Sequence, residues 1–285
     1  VVEVTRHGAF SVNAVGLCRE PFPLTFSVSE SAGCWVVSAA AAQASELADI
    51  FAQAAKDTIL VMNIETPTFV DEQHVQWSPA RIAAAQGVNY SAHALDSLAT
   101  GVAGLSREAL VMPRTDLRGF LAGWSLYELT LIGVPARPNA ERLDGIALAI
   151  ATSGPDEPVL PNLPGCCLWY SGHDDCYIWV ESVDPGVPPA ILGRLLSLLA
   201  GSALAGDEPV EVADPDRDFA DALIGTSQHW IGTLDAASAT SVTVGLSSSN
   251  VPWRFGQPMP AHADRLATYD VVEATWSLTP RSNKA

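Results

Sequence analysis

The sequence predicts an α+β fold with mixed or antiparallel sheets, on three observations. Short apolar or alternating runs bounded by Ser, Gly and Glu recur along the chain, two stretches between them have helical spacing, and the composition is 48% apolar against 16% charged. A chain of 285 residues can bury roughly 75% of the surface that its unfolded form exposes, enough for a large core. One compact domain over residues 1–285 is expected, either as a single body or as two pseudo-symmetric halves, 1–140 and 141–285.

The runs "AFSVNAVG", "LTFSVSE" and "GCWVVSA" read as the opening strands. In "SAAAAQASELADIFAQAAKD", Leu47, Ile50, Phe51 and Ala54 recur at helical spacing, and "TILVMNIE" follows as a buried strand. A central helical insertion is expected from about Ser78 to Gly133. Its first helix, "SPARIAAAQG", has Ser78 as N-cap and Pro79 in the first turn. Its second, "TDLRGFLAGWSLYELTLIG", is capped by Thr115 or Asp116 and gathers Leu117, Phe120, Leu121, Trp124 and Leu131 on one face.

Beyond Asp144, "GIALAIATSG", "CCLWYSG" and "CYIWVES" read as strands, "PPAILGRLLSLLAG" as a helix and "EPVEVAD" as a strand. This order repeats the first unit, and laying "SAGCWVVSA" beside "HDDCYIWVE" aligns Cys34 with Cys176 and Trp35 with Tyr177. A helix in "DPDRDFADALIG" and strands in "HWIGTL", "SVTVGLS" and "YDVVEATWSLT" complete the chain. Between the last two lies a Pro- and Gly-rich loop, "NVPWRFGQPMPAHAD".

Charge narrows the partners. With 32 Asp and Glu against 15 Lys and Arg, for a net charge of −17, the average surface repels phosphate backbones and anionic lipid. Nucleic acid is not an expected partner. Membrane insertion is not expected either, because the longest apolar stretch, "ILGRLLSLLAGSALAG", is interrupted by Arg194 and falls short of the ~20 residues of a spanning helix. No basic and then apolar segment opens the chain, so no signal peptide is expected in it, and release from a precursor is one expected origin of the Val1 start.

Five cysteines, Cys18, Cys34, Cys166, Cys167 and Cys176, show no CxxC spacing, and no Cys/His cluster suits zinc. Buried thiols in a reducing intracellular environment or an assembled particle are expected, with no metal. Neither a P-loop nor GxGxxG occurs, and no cofactor is expected.

Arg6-His7-Gly8, with Asn13 beyond it, resembles the opening signature of the histidine phosphatase superfamily. The resemblance implies a phosphorylated His7, phosphate binding by Arg6 and a second histidine after a later strand, for which His173 is the candidate. Asp174 and Asp175 beside His173 would repel a dianionic substrate, and "AFSVNAVG" reads as a strand where that family has a phosphate-facing loop. The stretch "SGHDDC" suits a hairpin turn better than a ligand set. In "DPDRDFAD" the sixth and twelfth positions of a calcium loop are Phe219 and Gly225 instead of Gly and Glu, so an acidic helix start is expected there. Ser227, two residues before His229, lies in no GxSxG motif.

Three functions are therefore expected from these residues. The first is a non-catalytic structural or assembly protein, such as a subunit or decoration of a viral capsid or other particle, that associates with itself or with a protein partner. The second is a binding adaptor or chaperone-like module that docks through Trp253, Arg254 and Phe255. The third is a hydrolase using His7 and Arg6, with His173.

Overall fold

A computed structural model describes residues 2–4, 24–40, 44–56, 58–62, 69–70, 76–95, 108–123, 128–154, 157–173, 177–206, 208–252 and 257–281. In chain order its strands and helices begin β1 (Val2–Val4), β2 (Leu24–Ser31), β3 (Cys34–Ala40), α1 (Ala48–Ala54), β4 (Thr58–Met62), β5 (Phe69–Val70), β6 (Gln76–Trp77), α2 (Pro79–Ala85) and β7 (Ser91–Ala94). They continue as β8 (Glu108–Pro113), α3 (Leu117–Ala122), β9 (Glu128–Val134), α4 (Ala140–Thr152), β10 (Leu168–His173), β11 (Tyr177–Ser182) and α5 (Val187–Leu204). The last are β12 (Val210–Val212), α6 (Arg217–Ile224), β13 (His229–Ala237), β14 (Ser241–Ser249), β15 (Arg265–Asp270) and β16 (Thr275–Pro280). The fold is α+β, and its sheet pairing is mostly antiparallel.

The chain divides into two compact units, each assembled from separated segments. One comprises residues 1–29, 37–46 and 188–285, the other residues 30–36 and 47–187. The β2–β3 turn contributes to the second unit while the outer parts of both strands belong to the first. That turn is closed by Ala32 and Gly33, whose φ angles of 53° and 74° are those of a type I′ hairpin.

In the second unit the strand order is β11-β10-β9-β4-β8-β7, each neighbouring pair antiparallel. The central stretch does carry the two helices read from the sequence, and Ser78 Oγ caps α2 by accepting from Arg81 N at 3.3 Å. It also holds β7, β8 and β9. The second helix stops at Ala122, and Leu131, expected on its apolar face, is buried in β9 opposite Val61 and Tyr170. Thr130, Ile132 and Val134 alternate along that strand, and β-branched side chains suit its pleat better than a helix. Trp124 lies outside the described residues.

The reverse correction applies to "GIALAIATSG", which belongs to helix α4 and not to a strand. A short apolar run fits either period, and here the cap decides. Asn139 Oδ1 accepts from Arg142 N at 2.9 Å, opening a helix whose Leu143, Ile146 and Ala147 pack with Val111, Ile132, Val134 and Trp169.

In the first unit the order is β16-β15-β14-β13-β2, with β1 and β12 as a separate pair. Helix α5 is 18 residues long with a mean hydropathy of 1.5, apolar enough to cross a membrane, and 78% of it is buried inside the molecule. Its Ala200 joins Val212, Val242 and Tyr269 in a core cluster, and Ser197 Oγ donates to Ala213 O at 3.1 Å. The stretch "YDVVEATWSLT", expected as one strand, is the end of β15, a turn and β16. Asp270 Oδ1 accepts from the N–H groups of Val272 and Glu273, both at 2.9 Å, so an aspartate side chain folds the chain back. Asp216 Oδ1 caps α6 at Phe219 N, 2.8 Å away, as the acidic helix start implied.

The order strands-helix-strand does recur, as β2, β3, α1, β4 and then β10, β11, α5, β12. The closing strands differ in placement. β4 lies between β8 and β9, whereas β12 pairs with β1.

Candidate functional site

Most of the residues singled out in the sequence, Arg6, His7, Trp253, Arg254 and Phe255, lie outside the described residues, as do Cys18 and Cys176. His173 ends β10, in register with Glu128 of β9 and Tyr177 of β11, and β10 and β11 pair antiparallel, while Asp174, Asp175 and Cys176 lie outside the described residues. Among the described residues, no three His, Cys, Asp or Glu side chains converge as a metal site. Cys34, Cys166 and Cys167 are buried thiols. Burial, with a smaller contribution from the Glu181 charge, pushes Cys34 up to about 11, far from a reactive thiolate. Ser227 Oγ donates to the backbone carbonyl of His229 at 3.0 Å and not to its ring.

Two buried polar groups serve packing. Glu181 is fully buried and accepts from Val159 N at 2.9 Å, Leu160 N at 2.6 Å and Trp179 Nε1 at 2.7 Å, which fixes the short helical turn at Leu160–Asn162 to β11. Arg194 of α5 reaches Asp214 with Nε at 2.9 Å and Nη2 at 2.9 Å, and its Nη1 donates to Glu46 O. Donors and acceptors are matched at both sites, as buried charge requires.

A different arrangement occurs where β7 begins. Helix α2 ends in a Schellman motif, with Gly87 N donating to Ala84 O and Val88 N to Ala83 O, both at 3.2 Å. Gly87 has φ of +65°, the left-handed conformation that glycine accepts without strain. The reversed chain then lays Val88 beside Gly119 of α3, where a Cβ would come within 3.1 Å of the valine Cγ1. Asn89 clamps the turn to Asp116, its N and Nδ2 donating to one carboxylate oxygen at 2.7 and 3.0 Å. This bond also explains why Asp116 stands at the start of α3 without capping it.

The chain leaves this clamp as Tyr90 and Ser91 and borders a hollow of about 290 Å³, lined by Asn89, Tyr90, Ser91, Val111, Met112, Pro113 and Arg137. Arg137 lies between β9 and α4, flanked by Pro135 and Pro138, which restrict the backbone that carries it. Its Nη2 donates to Ser91 Oγ at 2.7 Å, and Ser91 Oγ lies 3.1 Å from His93 Nε2. The hydroxyl accepts from the guanidinium and shares a second hydrogen bond with the His93 ring, whose direction the ring's tautomer sets. A cation bonded to Oγ withdraws electron density from it, the opposite of what a nucleophile needs. The guanidinium is exposed, and no described carboxylate pairs with it. The arrangement is therefore suited to binding an anion.

Comparison with known proteins finds no matching family model and no curated protein or solved structure with significant similarity.

Sequence reasoning misses Asn89, Tyr90, Ser91 and His93 because they fall within the stretch from about Ser78 to Gly133 that reads as helical, and misses Arg137, beyond that stretch, because a single arginine in a loop carries no motif. The alternation of "SAHA" after Gly87 was the available signal for a strand, and the prolines around Arg137 were the signal for a held cation.

Proposed function

We propose that this chain is a non-catalytic structural or assembly protein that works through protein contacts, packing against copies of itself or against a protein scaffold. The observation that supports this reading best is that β7 is the last strand of its sheet and pairs on one side only among the described residues. Protein edges are ordinarily blunted by shortness, Lys, Pro, bulges or a covering element, because unpaired N–H and C=O groups template another strand, and of these β7 shows shortness, at four residues. The β7 sequence, "SAHA", has neither Lys nor Pro, and Ala92 and Ala94 are exposed. The adjoining hollow, about 290 Å³, is at the lower end of ligand pockets and suits a side chain better than a cofactor.

Sedimentation velocity over a wide concentration series tests this reading. Species heavier than the 30.0 kDa chain that grow with concentration are the expected result. A 30.0 kDa monomer throughout that also hydrolyses a phosphoester would overturn it.

A further inference from the structure

Within this reading, we infer that β7 and the hollow beside it take up an extended segment of a partner protein, which pairs along the strand and places a carboxylate against Arg137. Two separate observations lead to the same occupant. The strand edge offers backbone groups in the spacing that only another extended chain matches, which is the mode of β-strand addition. The hollow at the beginning of that strand offers a guanidinium whose one described bond is to Ser91 Oγ, leaving most of its donor fork to a planar oxyanion.

The surroundings fit a side chain or chain terminus carrying that anion. Val111, Met112 and Pro113 line the hollow with apolar surface, and Tyr90 is 37% exposed at its rim, an amphipathic ring of the kind enriched at docking sites. The carboxylate of Asp116 is engaged by both nitrogens of Asn89 and is not among the groups that line the hollow. In a chain with 32 acidic and 15 basic residues, a carboxylate would find few other cations, which gives the contact its specificity.

A library of random seven-residue peptides, selected on the full chain alone and then measured on the Arg137→Gln variant, tests the inference. The expected peptides are rich in β-branched residues and share one Asp, Glu or free C-terminal carboxylate. Their affinity should fall about tenfold or more with Arg137→Gln, as loss of a charge-assisted bond predicts, and by less with Arg137→Lys, which keeps the charge without the planar fork. Selected peptides without an acidic group, peptides indifferent to Arg137→Gln, or a selection that yields nothing would each overturn it. If the chain still forms larger species by sedimentation in those cases, the assembly reading stands and its contacts lie elsewhere. A monomer in that experiment would remove self-association as well.

Discussion

Arg194, on α5 of the first unit, has a side chain only 6% exposed and holds Asp214 through two nitrogens, whereas Arg137, between β9 and α4 of the second unit, is exposed and bonds to a serine hydroxyl. The chain has more than twice as many carboxylates as basic groups, so a partner for an arginine is rarely far away. Arg194 uses one because a buried guanidinium without it would cost several kcal/mol. Arg137 stays hydrated in the free chain, has no such requirement, and keeps its charge for an incoming group.

The largest expected effect breaks the buried member of this pair. Asp214→Ala should lower unfolding stability by about 3 kcal/mol, because it leaves the Arg194 charge inside the protein. Urea unfolding should show a lower midpoint with an unchanged slope; a loss below about 1 kcal/mol, the scale of exposed pairs, would mean that Arg194 reaches water and that the two arginines do not differ as described.

A smaller effect is expected at the turn that presents β7. Gly87→Ala should cost about 1 kcal/mol, since its positive φ places a Cβ in the left-handed region. No loss would show that the Schellman turn relaxes freely and does not hold the edge strand in place.

The smallest effect is at the exposed arginine. Arg137→Gln should change stability by no more than about 0.5 kcal/mol, as for most surface substitutions, measured by the same urea titration. A loss near that of Asp214→Ala would give Arg137 a structural role and remove the contrast.

Most of the strands were legible in the sequence where alternation, turn residues and caps agreed. β2, β3, β13 and β14 follow their apolar runs, and Ser78 and Asp216 cap the helices that they precede. The misreadings fall where a short apolar run satisfies both periods. The continuation of α3 into β9, the helix at Ala140–Thr152 and the Asp270 turn were each decided by one local hydrogen bond or by strand pairing across the sheet. The candidate site was hidden for a related reason. Ser91 and Arg137 are far apart in the chain and meet only because β7 and the end of β9 lie at the same end of the sheet.

Hydrogen exchange on the β7 amides is the most direct measurement of the central claim, made on the full chain with and without a saturating amount of a selected acidic peptide. The account predicts slower exchange within Ser91–Ala94 and unchanged exchange in β16, whose edge carries Pro280 and a Trp276 indole pinned to Ala213 O at 2.7 Å. Bound peptide with no slowing at β7, or with protection confined to another strand, would contradict it.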